Sequence, residues 1–291
     1  KRRYPNGINS QTATLTIGGA SSFDTSASTG TITLTQANAF TGAVTLSSGT
    51  GAAQLTDSTD TILAASTLGG NLTVTSSGAI TQTGALSVTG TSSFTVSSAN
   101  AMTLTNTSNS FTGAVTLSSG TGAVQLTDSS DTILAASTLS GNLTVTSSGA
   151  ITQTGVLSVA GTSSFTVSGS NAMTLTQANT FTGAVTLSSG TGAVQITDSS
   201  TLILAASTLG GDLTASADNG LTINGDLTTT GNMTLDGDLD NISTGTLTIA
   251  SGVTLTANSG GAITLDATTG GIIASGAITL KAVNGITIND D

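Results

Sequence analysis

The densest group of reactive side chains in this 291-residue sequence is Asp236-Gly237-Asp238-Leu239-Asp240. Carboxylates at alternate positions open a calcium loop, because oxygen ligands on one turn can converge on a hard cation. The continuation does not complete such a loop. Its sixth position is Asn241, where a glycine makes the sharp bend, and its twelfth is Leu247, where a glutamate chelates. The sequence therefore predicts solvated corner aspartates here, with a weak calcium site as the alternative. Asp57, Asp60, Asp128, Asp131 and Asp198 recur at regular spacing and read as stacked-corner or surface residues. Serine is abundant, but there is no His or Cys, and the only cation beyond residue 3 is Lys281. A hydroxyl nucleophile has no base to activate it, and a carbohydrate-cleaving site has no positive group to meet developing charge. The sequence assigns no catalytic, cofactor-binding or metal-binding residue and predicts a non-enzyme without a cofactor.

Elements that display side chains without using them for chemistry are organised here by repetition. The words beginning FTGAVTLSSGTGA at Phe40 begin again at Phe111 and at Phe181, a period of about 70 residues that marks a repeat array. Only about one position in ten differs between the first two copies, so the unit arose by duplication. This gives near-identical repeats 40–110 and 111–180, a partial third copy from 181 and a divergent part 211–291. Residues 1–11, which hold Lys1, Arg2 and Arg3, read as a basic leader or docking arm.

Composition narrows the class. The chain is 36% hydrophobic, 7% charged and 2% aromatic, too apolar for a solvated disordered segment and too poor in helix formers for a bundle. Fifteen acidic residues against four basic ones give a net charge of −11, which repels a phosphate backbone or an anionic bilayer. Nucleic acid and membrane insertion are excluded as partners on that ground and on the lack of a long apolar run.

Thr and Val favour extended chain, and short alternating runs such as Leu72/Val74, Leu86/Val88, Phe94/Val96 and Met102/Leu104 put aliphatics on one face and hydroxyls on the other. Between them stand SSG, GTG, GG, TG and SAN, too short for helices. Antiparallel hairpins would call for Asn-Gly or Asp-Gly turns, which the copies lack. The pattern instead predicts an all-β chain: a single parallel β-helix over 12–291, about three strands per coil, with roughly three coils per repeat closing in register. In a narrow aliphatic interior aromatics would not fit. Asn71 and Asn142 are expected at left-handed corners, and tighter corners are expected after Asp212.

GNLTVTSSGAITQTGALSVTGTSSFTV (70–96) and NAMTLTNTSNSFTGAVTL (100–117) resemble the repeats of large secreted bacterial exoproteins of the filamentous haemagglutinin type. The resemblance covers nearly all of 12–291. It implies a right-handed parallel β-helix, export to the cell surface, and a role in attachment, aggregation or as a stalk. The family's secretion domain carries an NPNGI-like motif; Tyr4-Pro5-Asn6-Gly7-Ile8 is similar but has Tyr first, and the residues after it depart from that domain, so a simple turn is the preferred reading. The predicted role is an extracellular, bacterial cell-surface adhesin stalk or filament whose partner is another copy or a host-surface ligand. Alternatives are a head-to-tail fibre subunit joined through its charged termini, an ice-binding array built from Thr-X-Thr pairs such as Thr73/Thr75 and Thr103/Thr105, and a carbohydrate-binding or -cleaving β-helix.

Overall fold

A computed structural model describes residues 9–240, 245–267 and 270–290. Lys1 to Ile8, Asn241 and Asp291, on which parts of the sequence reading rest, lie outside the described residues. The chain is all-β, with parallel strands stacked as a β-solenoid of roughly three strands per coil. It divides into two compact units, Lys1–Leu143 and Thr144–Asp291.

In the first unit one face is a ladder of single strands. Ile32–Phe40, Ala53–Asp57, Leu72–Ser76, Ser92–Val96 and Val115–Ser119 pair in that order, all parallel. The other face carries Ser21–Thr25 and Val44–Ser48, then coils in which two short segments replace one strand, such as Thr61–Leu63 with Ser66–Leu68 and Ile80–Gln82 with Leu86–Val88. One long strand and two short ones close a coil. Period-two alternation decides what enters it: Leu72, Val74 and Ser76 are buried while Thr73 and Thr75 face outward.

Where a straight strand meets a broken one, the backbone ladder has a gap. The N–H of Leu46 faces the bend at Ala64–Ala65 and is met by the hydroxyl of Ser66 at 3.0 Å, which itself donates to the carbonyl of Ala64. Ser137 serves Leu117 in the same way. A hydroxyl two residues past a kink therefore replaces the missing carbonyl, so no buried amide is stranded.

The corners need glycine for proximity. A Cβ on Gly51 would lie 2.0 Å from the carbonyl oxygen of Gly30, one on Gly70 would lie 2.5 Å from that of Gly51, and one on Gly113 would lie 2.4 Å from that of Gly90. Successive corners rest backbone on backbone. Left-handed conformation is rarer: the only described non-glycine residues with positive φ are Ser98 and Ser259. Asn71 and Asn142 are thus not left-handed corners. Asn71 works through its side chain, whose Oδ1 accepts the N–H of Thr91 at 2.9 Å.

All six phenylalanines lie in three edge-to-face pairs, Phe23/Phe40, Phe94/Phe111 and Phe165/Phe181, each with centroids 5.9 Å apart. Five of the six are fully buried. The interior thus admits aromatics, contrary to the expectation from scarcity, because facing strands of one coil offer one ring's edge to the other ring's face across the interior.

The repeat does not close in register after three coils. Coils are of unequal length: one advance carries Ala53 to Leu72, whereas a longer one carries Ser92 to Val115. A unit of about 70 residues therefore spans about three and a half coils. Equivalent strands consequently alternate between faces: Val44–Ser48 lies in one sheet of the first unit and its duplicate Val115–Ser119 in the other. Because every coil has two comparable faces, a half-turn offset still lays aliphatic on aliphatic.

The second unit has the same construction. Met173–Phe181, Val194–Asp198, Leu213–Ala217, Met233–Asp236, Ile263–Asp266 and Ile286–Asn289 form one ladder. The expected tightening after Asp212 does not occur. Leu213 pairs with Met233, Met233 with Ile263 and Ile263 with Ile286, and the two later advances are both longer than the first. Across the longest of them Gly237 and Leu239 still donate to the carbonyls of Asp266 and Ala217.

Candidate functional site

The most elaborate polar constellation is one that recurs. Asn109 is fully buried, and its Nδ2 donates to the carbonyls of Leu104 and Thr127, both at 3.2 Å, and to Oε1 of Gln82 at 2.9 Å. Its Oδ1 accepts from Nε2 of Gln82 at 2.8 Å and from the N–H of Leu86 at 2.9 Å. The two amides form a closed cyclic pair that ties three successive coils together. Asn38 with Gln11, and Asn179 with Gln153, repeat it bond for bond. Every donor and acceptor on the asparagine is used, so the node has no proton to give and no lone pair to offer a ligand.

Beside each node stands an aspartate. Asp57, Asp128 and Asp198 are fully buried, which fits the stacked-corner reading of these residues and corrects the surface one. They end a strand and turn inward to cap the following bend. Oδ1 of Asp128 accepts the N–H of Phe111 at 3.3 Å and the N–H and hydroxyl of Ser130 at 3.0 and 2.8 Å. Asp57 makes the same contacts to Phe40 and Thr59. Asp198 differs, since Oδ2 takes the N–H of Phe181 at 2.7 Å while Oδ1 takes Ser200. Burial pushes the carboxyls of Asp128 and Asp198 above the usual aspartate range, against the downward pull of these donors. Asp60 and Asp131 are exposed, as expected of surface residues.

The acidic triplet does not assemble into one site. Asp236 is half-buried and points outward, Asp238 is 1% exposed, and Asp240 is exposed. Asp238 donates its N–H to Oδ1 of Asp236 at 3.0 Å, which makes a local turn. Among the described residues no group of three or more acidic side chains is arranged to hold a metal ion. Asp236 instead stacks on Asp266 in register, and Asn289 donates to Oδ2 of Asp266 at 2.9 Å. Burial raises the carboxyl of Asp236, and the charges of Asp266, Asp238 and Asp218 raise it further. Asp218 is raised by burial and by Asp240 and Asp238.

The outward polar side chains, mostly hydroxyls, form columns on the single-strand face of the first unit. Gln54, Thr73, Ser93 and Thr116 stack in one, and Thr56, Thr75, Thr95 and Ser118 in the next. Of these four rungs only Thr73/Thr75 has threonine at both places. Thr103 lies on the other face, so duplicated Thr-X-Thr words are shared between two faces and build no single flat array.

Parallel coils, internal duplication and recurring buried struts define a β-solenoid repeat protein. The chain belongs to the family described as Repeats of unknown function (DUF5649), which matches residues 6–47, 50–118, 121–188 and 191–242. No curated protein and no solved structure matches it.

Sequence reasoning missed the Gln–Asn node, although the signal was present. Gln11, Gln82 and Gln153 recur at the spacing of the repeat, and so do Asn38, Asn109 and Asn179. The Gln11–Asn38 pair also carries the repeat back before Phe40, and Asn9–Ser10 already pairs with Ile32–Thr33.

Proposed function

We propose that this chain is a non-enzymatic, extracellular structural or adhesive β-solenoid, a stalk or filament-forming segment of a bacterial surface protein of the filamentous haemagglutinin type. The observation that carries the reading is the fate of its recurring polar residues. In each copy the asparagine, glutamine and aspartate are spent inside the stack, bonding one coil to the next. What is left outward is mainly short hydroxyls, with aspartates and the recurring Gln54, Gln125 and Gln195, a solvated surface suited to a spacer. Backbone ladders and buried amide pairs stiffen such a spacer without disulfides, of which this Cys-free chain has none.

A second reading is head-to-tail association of copies into a fibre, in which parallel backbone pairing would continue from one copy to the next.

Negative-stain electron microscopy of the purified chain across a concentration series tests both. Straight single rods of roughly 60 Å, from about a dozen coils at 4.8 Å, support the spacer, and lengthening filaments at high concentration support the fibre. Compact globules would refute both.

A further inference from the structure

The nodes account for every polar atom of Asn109 but leave half of the neighbouring carboxyl unexplained. The N–H of Phe111 and the N–H and hydroxyl of Ser130 all end on Oδ1 of Asp128, and Oδ2 is buried with no partner. An ionised carboxylate spreads its charge over both oxygens, so one-sided solvation leaves half of that charge in an apolar interior. A carboxylic acid does not have this difficulty, because its carbonyl oxygen accepts while its other oxygen carries a proton and donates.

The nearby group able to receive that proton is the hydroxyl of Thr132, fully buried, which bonds the ionised Asp128 carboxyl as a donor and draws it downward, and which can reverse that bond once the carboxyl is protonated. The first copy shares the one-sided carboxyl: Oδ2 of Asp57 is buried without a partner, and so is Oγ1 of Thr61. The third copy supplies the contrast. Leu202 stands where the others have Thr61 and Thr132, and there Asp198 has turned so that both oxygens accept donors. Loss of the hydroxyl coincides with loss of the one-sided geometry.

We propose that Asp128 is a proton-carrying clasp: on mild acidification it becomes a carboxylic acid whose Oδ1 keeps accepting from Phe111 and Ser130 while Oδ2–H donates to Oγ1 of Thr132. The solenoid then tightens as pH falls instead of loosening. The upward push of burial on this carboxyl acts in the same direction. Other charge near the turn is sparse. Met102–Leu104, Ser110–Phe111, Val115–Ser119 and Thr132–Leu134 contain no titratable residue, and Asp131 of the turn itself is exposed.

The direction of the Thr132 bond decides the matter. If the hydroxyl accepts from the acid it favours the protonated form, and its removal lowers the midpoint. If it donates to the carboxylate its removal raises the midpoint. The experiment is a pH titration of carboxyl carbon shifts in the full chain with 13Cγ-labelled aspartate, with Asp128→Asn to assign the resonance.

Asp128 is expected to titrate above the aspartates of the urea-denatured chain, Thr132→Val to shift its midpoint down, and Thr132→Ser to restore it. An upward shift or no shift in Thr132→Val, or a parent midpoint at or below the denatured value, overturns the proposal. If Thr132→Val does not fold, a downfield carboxylic proton in the parent under mild acid, absent from Asp128→Asn, supports the clasp; its absence from the parent overturns it.

Discussion

Replacing Asn109 with alanine removes the busiest strut in the first unit, and its cost can be worked from the bonds lost. Five hydrogen bonds disappear. A typical one contributes about 1 kcal/mol net, and a buried group left without a partner costs about 1–3 kcal/mol. The carbonyls of Leu104 and Thr127 and the N–H of Leu86 lose this partner, while Gln82 keeps its bond to the Gly84 carbonyl at 2.7 Å. The expected loss is about 3–5 kcal/mol, a large fraction of the stability of an ordinary domain. In a solenoid each coil contacts mainly its neighbours, so the damage should centre on the coils of Gln82, Asn109 and Thr127. Guanidinium unfolding followed by circular dichroism gives the total, and native-state hydrogen exchange at the Leu86 amide gives the local part. Thr103→Ala, which touches an outward residue, serves as control and should fall within about 0.5 kcal/mol of the parent. A loss below about 1 kcal/mol with Leu86 still protected would refute the claim that the amide pair ties the coils.

Three further outcomes are expected. Gly70→Ala pushes a methyl group into the backbone of Gly51 and should cost at least about 1–3 kcal/mol in thermal or denaturant unfolding, whereas Gly19→Ala, with nothing within 4 Å, should be nearly neutral; equal effects would remove proximity as the reason for corner glycines. Phe94→Ala breaks the edge-to-face pair with Phe111 and empties a fully buried position, so about 3–5 kcal/mol should be lost, with near-parental stability as the contrary result. Asp236 is raised in the fold, so it binds its proton more tightly there than in the unfolded chain, where an aspartate titrates near about 3.9. Its contribution is full below the unfolded value and lost as pH rises through the folded one. Asp266→Asn removes one of the charges responsible, so the Asp236 midpoint should fall and stability at neutral pH should rise; a midpoint that does not move sinks the stacked-carboxylate account.

The class of fold was legible in local pattern. Alternation such as Leu72-Thr73-Val74 fixes which side chains enter the coil, and turn words of two or three residues exclude helical crossovers, so parallel stacking followed from local chemistry. Recurrence with the repeat also marked which polar positions matter, without saying what they do. An asparagine in a turn word can cap a corner in solution or be sealed between coils, and only the stacking partner decides. Tertiary structure therefore settled the burial of Asn109 and Asp128, whose partners on neighbouring coils lie 17 to 27 residues away. The half-turn offset was equally out of reach of pattern reading. Coil length varies within the first unit, as the advances from Ala53 to Leu72 and from Ser92 to Val115 show, and the count per repeat depends on adding these unequal advances. Where Val44 and Val115 came to lie on different faces, the deciding physics was the equivalence of the coil's two inward-facing apolar surfaces, a property of the assembled coil that no single segment carries.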